Sequence, residues 1–193
     1  MYSACKYKTK MIKSVCVYCA SSPNVAQSYI ELARKTGELL AKNGIHCIYG
    51  AGSTGLMGGL ANGVLSQRGA ITGIIPRFMC EREWNHTGLP ELIMIETMHE
   101  RKELMMKKAD AAIALPGGIG TFEELIEVIT WRKLGLFNKP IYIVNSNNYF
   151  RHLIDMLEKA VDEEFMEEED LELWKVVNDE VELLDEVVKN RKN

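Results

Sequence analysis

The stretch that decides the fold is Leu115-Pro116-Gly117-Gly118-Ile119-Gly120-Thr121-Phe122-Glu123-Glu124. An apolar run over 111–115 enters it and a helical pattern over 125–131 leaves it, so we expect a strand, a glycine-rich turn and the start of a helix. The first N–H groups of such a helix lack intrahelical acceptors, and the positive end of the helix dipole lies behind them. The sequence therefore predicts a phosphate site over 117–121.

The rest of the chain repeats this alternation of strand and helix. The predicted strands are 15–18, 45–49, 70–75, 92–95, 111–115, 141–144 and 174–177. Thr97 stands three residues before Glu100, which is the signature of a capping box for a helix over 98–109. Because the strands are apolar throughout, they indicate a parallel sheet that is covered on both faces. We predict an α/β fold, a doubly wound Rossmann-like three-layer sandwich with a mostly parallel sheet of six to seven strands.

Length and composition place limits on the class of protein. The 193 residues suffice for one sizeable core, and 47% hydrophobic with 26% charged content is typical of a globular protein. We expect a flexible N-terminal segment over 1–13 and a single Rossmann-like nucleotide-binding domain over 14–193. No apolar run approaches the roughly 18 residues that would span a bilayer. Membrane insertion is therefore not expected.

Charge and cysteine content limit the partners. The net charge is −4, and residues 162–172 hold eight acidic and no basic side chains, which argues against binding nucleic acid. Five cysteines without a secretory signal indicate reduced thiols and a cytoplasmic location. Cys16 and Cys19, three apart on a predicted strand, point to opposite faces and are expected to pack in the core.

Two pairs of charged residues fall at the carboxyl edge of the predicted sheet, where ligands bind in such folds. Arg101 and Lys102 lie in the first turn of one helix, and Glu123 and Glu124 in the first turn of the next, so they can face each other. Beside an arginine, the pKa of the carboxyl group is expected to fall by roughly 1 to 3 units. An ionised carboxylate could then stabilise positive charge or activate water.

Simpler interpretations of the same residues stay open. Thr121-x-x-Glu124 also has the spacing of a capping box, in which the glutamate closes the helix start. Arg101 could be a surface residue that pairs with Glu100 or Glu103.

A second glycine motif, Gly50-x-Gly52-x-x-Gly55, has the form of a dinucleotide-binding fingerprint. A site for NAD also requires an acidic residue at the end of the following strand, which here reads Ile74-Ile75-Pro76-Arg77. The loop is either a phosphate-binding loop or a tight turn. The four histidines lack metal-ligand spacing, and neither a nucleophile elbow nor a Walker A lysine is present, so no metal or cofactor is expected.

Two motifs together resemble the LONELY GUY family of cytokinin riboside 5′-monophosphate phosphoribohydrolases. They are Met98-His99-Glu100-Arg101-Lys102 and Pro116-Gly117-Gly118-Ile119-Gly120-Thr121-Phe122-Glu123-Glu124, and the similarity extends over about 14–160. The resemblance implies hydrolysis of the N-glycosidic bond of an adenosine-type nucleoside 5′-monophosphate such as AMP, without a cofactor and in a homodimer.

The resemblance also implies residue roles. Arg101 and Glu124 match the family's catalytic pair. The implied substrate-binding residues are Ser21, Gly52, Gly55, Glu83, Met98, Lys102, Gly117, Gly118, Ile119, Gly120, Thr121, Phe122, Glu123 and Thr130. Ala20, Ile119 and Arg132-Lys133 depart from the family's usual residues, which leaves the preferred base open. The alternative functions are a non-catalytic nucleotide or cofactor carrier on the same fold and, from Gly50–Gly55 alone, an NAD-linked oxidoreductase.

Overall fold

The computed structural model describes residues 11–82 and 84–189. Their strands form one parallel seven-stranded sheet in the order β4-β3-β2-β1-β5-β6-β7. The strands are β1 (Ser14–Tyr18), β2 (His46–Tyr49), β3 (Ile71–Pro76), β4 (Glu91–Ile95), β5 (Ala111–Ala114), β6 (Ile141–Val144) and β7 (Lys175–Val177). The predicted α/β Rossmann-like class is confirmed.

Within the described residues, seven α-helices connect and follow these strands. They are α1 (Gln27–Lys42), α2 (Gly55–Ser66), α3 (Arg77–Cys80), α4 (Met98–Lys108), α5 (Ile119–Lys133), α6 (Arg151–Asp162) and α7 (Glu180–Lys189). The predicted capping box at Thr97 is confirmed, since the Thr97 hydroxyl accepts from Glu100 N and the Glu100 carboxylate accepts from Thr97 N.

The helices cover the two faces of the sheet, and each face has its own hydrophobic core. Leu60 of α2 and Leu183 of α7 pack in one core, and Met105 of α4 and Val128 of α5 pack in the other. Cys16 belongs to the second core and Cys19 to the first, as the strand alternation predicted. Both thiols are buried and free, and burial raises their pKa.

The strand order fixes where a ligand can bind. From β1 the chain moves outward through β2, β3 and β4, and then returns to the other side of β1 as β5. The order therefore reverses between β1 and β5, and a crevice opens at the carboxyl ends of strands at such a point. Helix α4 makes the return, so it runs across the sheet and brings its first turn towards the start of α5.

Both ends of the chain lie partly outside the described residues. Of the predicted flexible segment 1–13, residues 1–10 lie outside the described residues, while Ile12 is buried in the core. The C-terminal residues 190–193 also lie outside the described ranges. None of the helices within 11–82 and 84–189 has both the length and the apolar character needed to cross a membrane.

Candidate active site

A cavity of about 710 Å³ lies at the reversal point of the sheet. It is formed by the segments that follow β1, β2 and β3 together with the first turns of α4 and α5. The lining residues are Cys19, Ala20, Ser21, Ser22, Gly50, Gly52, Ser53, Thr54, Met57, Ile75, Met79, Trp84, Met98, Arg101, Gly118, Ile119, Gly120, Thr121, Glu123 and Glu124. The predicted edge of the sheet and the predicted glycine turn thus meet at one cavity.

The start of α5 forms one wall. The helix begins at Ile119, with Gly118 as its N-cap, and the first intrahelical acceptor, Gly118 O, receives Phe122 N. The N–H groups of the preceding helical residues therefore have no acceptor within the helix. A Cβ on Gly118 or on Gly120 would meet no atom within 4 Å, so the backbone is accessible from the cavity at both positions. This geometry suits an anionic group.

The capping-box interpretation of Thr121 and Glu124 is wrong. Thr121 is the third residue of α5, because the helix starts at Ile119, three residues earlier than the capping-box spacing suggested. Its hydroxyl instead occupies the space that Gly117 leaves by lacking a side chain. The carboxylate of Glu124 is therefore not used to close the helix start.

Arg101 reaches the cavity from the first turn of α4. Only 6% of its side chain is exposed, its Nε donates to Ile74 O at 3.1 Å, and its Nη1 lies 3.6 Å from Glu124 Oε1. The alternative that Arg101 is a surface residue is therefore wrong. A Cβ at position 50 would overlap Arg101 Nη2, so the guanidinium requires glycine there.

The pKa of Glu124 differs from the sequence-based expectation. Burial raises the pKa of Glu124 to about 7, against an opposing effect of Arg101 that lowers it. The expectation that Arg101 holds Glu124 ionised well below neutral pH is thus wrong. The loss of hydration destabilises the ionised carboxylate by more than the guanidinium 3.6 Å away stabilises it. A carboxyl group that titrates near neutral pH is suited to proton transfer.

Lys102 is the neighbour of Arg101 on α4 but does not line the cavity. Its ammonium group is hydrogen-bonded to Glu123, and to Glu127 at 3.0 Å. Burial acts to lower the pKa of Lys102, but these two hydrogen bonds raise it, so the lysine stays charged. It offers no neutral amine for Schiff-base chemistry and instead fixes two carboxylates on α5.

The glycines of the second motif have packing roles. Gly50 accommodates Arg101, and Gly52 accommodates the side chain of Met57. Gly55 has φ +59° and lies against the carbonyl of Ser22. A side chain there would be disfavoured both by the backbone conformation and by overlap with that carbonyl. Of the two interpretations of this loop, the tight turn is the one that the packing explains.

The predicted site residues divide into two groups. Arg101, Glu124, Ser21, Gly52, Met98, Gly118, Ile119, Gly120, Thr121 and Glu123 line the cavity, whereas Gly55, Lys102, Gly117, Phe122 and Thr130 do not. Phe122 packs against Phe150, and Thr130 is exposed with its hydroxyl bonded to Ile126 O. Glu83 lies outside the described residues.

Sequence reasoning missed the apolar part of the lining. Met57, Ile75, Met79 and Trp84 form it, together with the predicted Met98. Of the four residues that were missed, only Met57 lies within a motif, Gly52-x-x-Gly55-Leu56-Met57-Gly58, and apolar residues are expected in any core. Only the unusual exposure of Trp84, at 48%, distinguishes one of them, and exposure cannot be read from the sequence. In the described ranges, no group of three or more His, Cys, Asp or Glu side chains is placed to hold a metal ion.

Comparisons with known proteins identify relatives in sequence. Residues 57–187 match the family model described as "Possible lysine decarboxylase". A cytokinin riboside 5′-monophosphate phosphoribohydrolase of Rhodococcoides fascians is 44% identical over 155 residues, which are 80% of this chain and 78% of that protein. The protein LOG2 of Arabidopsis thaliana, of the same description, is 42% identical over 80% of this chain and 72% of its own length.

Solved structures with a similar fold are more distant in sequence. The molybdenum cofactor carrier protein of Chlamydomonas reinhardtii has a TM-score of 0.73 at 16% identity, covering 93% of this chain and 98% of that one. The molybdenum cofactor binding protein of Rippkaea orientalis has a TM-score of 0.71, also at 16% identity, with coverages of 93% and 98%. At this identity the similarity shows the fold alone.

Proposed function

The chain belongs to the LONELY GUY family of cytokinin riboside 5′-monophosphate phosphoribohydrolases, and we propose that it hydrolyses the N-glycosidic bond of a cytokinin nucleoside 5′-monophosphate. The products are the free base and ribose 5-phosphate. The observation that carries the proposal is the buried pair of Arg101 and Glu124, which lies beside the glycine turn in one cavity.

The proposed phosphate site over 117–121 includes the first residues of α5, and Glu124 lies on the same helix. The turn would bind the 5′-phosphate with backbone N–H groups and the helix dipole. Glu124, at most one and a half helical turns further on, would then face the ribose. Binding energy from the phosphate, which does not react, would place the sugar carbon C1′ at the catalytic pair.

The reaction breaks the bond between C1′ and the base nitrogen and forms a bond from C1′ to a water oxygen. One proton of the water ends on the base, and the electron pair of the broken bond leaves with the base. Positive charge develops on the ribose in the transition state, as in glycoside hydrolysis. The ionised form of Glu124 stabilises that positive charge and accepts a proton from water. Arg101 in turn stabilises the ionised form of Glu124.

The rest of the cavity favours an apolar base. Met57, Met79 and Trp84 line it, and this composition suits a purine that carries an apolar substituent. We expect both AMP and isopentenyladenosine 5′-monophosphate to fit, with a preference for the latter.

A homodimer is the assembly that the family resemblance implies. Exposed apolar side chains along α5 and at its C-cap support it, since Ile119, Ile126 and Leu134 are 87%, 37% and 66% exposed and recur at helical spacing. Light scattering of the purified protein tests this assembly. A cytoplasmic location stays a prediction, supported by the four free cysteines among the described residues.

Base release tests the proposed activity. The protein is incubated with isopentenyladenosine 5′-monophosphate and, separately, with AMP, and free base is measured by chromatography. We expect release from the prenylated nucleotide and its loss in Glu124→Gln. Absence of base from both nucleotides, or undiminished release by Glu124→Gln, would refute the assignment.

The carrier alternative makes a different prediction. It requires tight nucleotide binding in calorimetry without turnover over hours. The solved carrier proteins share only the fold with this chain, at 16% identity, and the buried Arg101–Glu124 pair favours the hydrolase.

A further inference from the structure

The turn that follows β6 has an unusual backbone. Asn147 and Asn148 have φ values of 53° and 57°, so two consecutive residues with side chains adopt the left-handed conformation. Asparagine tolerates this conformation better than most residues, but it normally occurs at single positions. Such strain persists only where the surrounding structure holds it, and it is found at functional sites more often than elsewhere.

Contacts on both sides hold this turn. Asn145 N donates to Val177 O at 2.7 Å, and the Asn145 side-chain oxygen accepts from Phe150 N at 2.8 Å. The Phe150 side chain is buried in the core under α5. The residue between the strained asparagines and buried Phe150 is Tyr149, whose position is therefore fixed from both ends.

Tyr149 touches the glycine turn. Its hydroxyl donates to Gly117 O at 2.6 Å, and its ring packs edge-on against Tyr29 and Phe150, with centroid distances of 5.7 and 5.2 Å. The contact follows from the topology, because β6 is the neighbour of β5, which leads into the glycine turn. A side chain outside the sequence motif thus holds the main chain of that motif.

The hydrogen bond fixes the orientation of one peptide group. In a planar trans peptide the carbonyl and the following N–H point in opposite directions. Holding Gly117 O towards Tyr149 therefore turns the N–H of Gly118 away from Tyr149. Gly118 lines the cavity, and neither Gly117 nor Gly118 has a side chain that could restrict the peptide instead.

We propose that Tyr149 is a positioning residue for the phosphate site over 117–121. Its hydroxyl selects the peptide orientation in which the N–H of Gly118, the N-cap residue of α5, meets a 5′-phosphate. The inference rests on the proposed function, in that the phosphate belongs to the substrate. The residue acts through Gly117 and does not itself line the cavity.

Tyr149→Phe tests the proposal because it removes one hydroxyl and keeps the ring. Tyr29→Phe is the matched control, since it removes a hydroxyl from the same aromatic cluster without removing a bond to the glycine turn. Binding of ribose 5-phosphate is measured by calorimetry for all three proteins. We expect the Kd to rise about three- to tenfold in Tyr149→Phe, as for the loss of one hydrogen bond, and to stay unchanged in Tyr29→Phe.

A second measurement separates positioning from a general structural role. The value of kcat/KM is determined for isopentenyladenosine 5′-monophosphate and for the same nucleoside without phosphate. If Tyr149 positions the phosphate site, Tyr149→Phe lowers the ratio of the two values. Equal losses on both substrates, or an unchanged Kd for ribose 5-phosphate, would overturn the proposal. The binding measurement does not depend on turnover, so it decides the role of Tyr149 even if the proposed hydrolysis fails.

Discussion

Arg101 Nη1 lies 3.6 Å from Glu124 Oε1, although the strands that precede their helices, β4 and β5, are separated in the sheet by three other strands. Helix α4 closes this separation, because it returns from the edge strand to the centre of the sheet. The contact is buried, with 6% and 8% of the two side chains exposed. The pair therefore depends on the crossover, and its electrostatics depend on burial.

The activity should rise with pH through neutrality. Because burial raises the pKa of Glu124 to about 7, its ionised fraction grows between roughly pH 6 and 8. We expect kcat/KM for the nucleotide to increase over this range with an apparent pKa near 7 and then to level off. Initial rates of base release from pH 5 to 9 measure this profile. A rate that is flat or falls over this range would contradict the role of ionised Glu124.

Replacement of Lys102 by methionine should move this profile to higher pH. The positive charge of Lys102 lowers the pKa of Glu124, and its loss also leaves the negative charges of Glu123 and Glu127 uncompensated. We expect activity at pH 7 to fall roughly threefold and to recover at higher pH. Lys107→Met, at an exposed position of the same helix, is the control and should leave the profile in place.

Glu124→Gln should be inactive yet more stable at alkaline pH. We expect the rate to fall about 10²- to 10⁴-fold. The pKa of Glu124 is higher in the folded protein than the ordinary value of 4.5, so the folded state gains stability from this group only at low pH and loses it as pH rises through about 7. At pH 8 the variant should therefore exceed the native protein by about 2–3 kcal/mol in free energy of unfolding.

Urea unfolding at pH 8 and at pH 4.5 measures this difference, which should disappear at the lower pH. Glu127→Gln provides the comparison, because Glu127 is bonded to Lys102 and its loss should give no stabilisation. A Glu124→Gln variant that is less stable than the native protein at pH 8 would show that the ionised, buried carboxylate does not destabilise the folded state.

Gly50→Ala should inactivate the protein through Arg101. The added Cβ would overlap Arg101 Nη2, and the guanidinium would have to leave its positions at Ile74 O and Glu124. A displacement of about 1 Å suffices for a loss of roughly 10²-fold in kcat/KM. Gly88→Ala is the control, since its Cβ would meet the side chains of His86 and Leu65, neither of which lines the cavity. Retention of full activity by Gly50→Ala would refute the role given to Arg101.

Trp84→Ala should change the choice of base. The indole lines the cavity, and its removal takes away apolar surface that an isopentenyl group could contact. We expect the ratio of kcat/KM for isopentenyladenosine 5′-monophosphate over AMP to fall roughly five- to tenfold. Phe78→Ala, an exposed position on the neighbouring helix that does not line the cavity, should leave the ratio unchanged. An unaltered ratio in Trp84→Ala would show that the isopentenyl group of the base does not contact the indole.

The sequence by itself determined the sheet and the local motifs. Each of the seven strands contains an apolar run that was recognisable in the sequence, and 141–144 was predicted with the observed bounds. The capping box at Thr97 is a local pattern and was equally readable. The meeting of Arg101 with Glu124 was predicted as well, because both helices begin at the carboxyl edge of the sheet.

Tertiary structure alone decided the properties that depend on what packs around a group. The sequence suggested that Arg101 lowers the pKa of Glu124, whereas burial of the carboxyl group raises it to about 7. The apolar lining from Met57, Met79 and Trp84, and the hydrogen bond from Tyr149 to Gly117, join segments that no motif connects. Spacing along a chain fixes local hydrogen bonds and amphipathic faces, but solvent exclusion and long-range contacts arise only when the layers assemble.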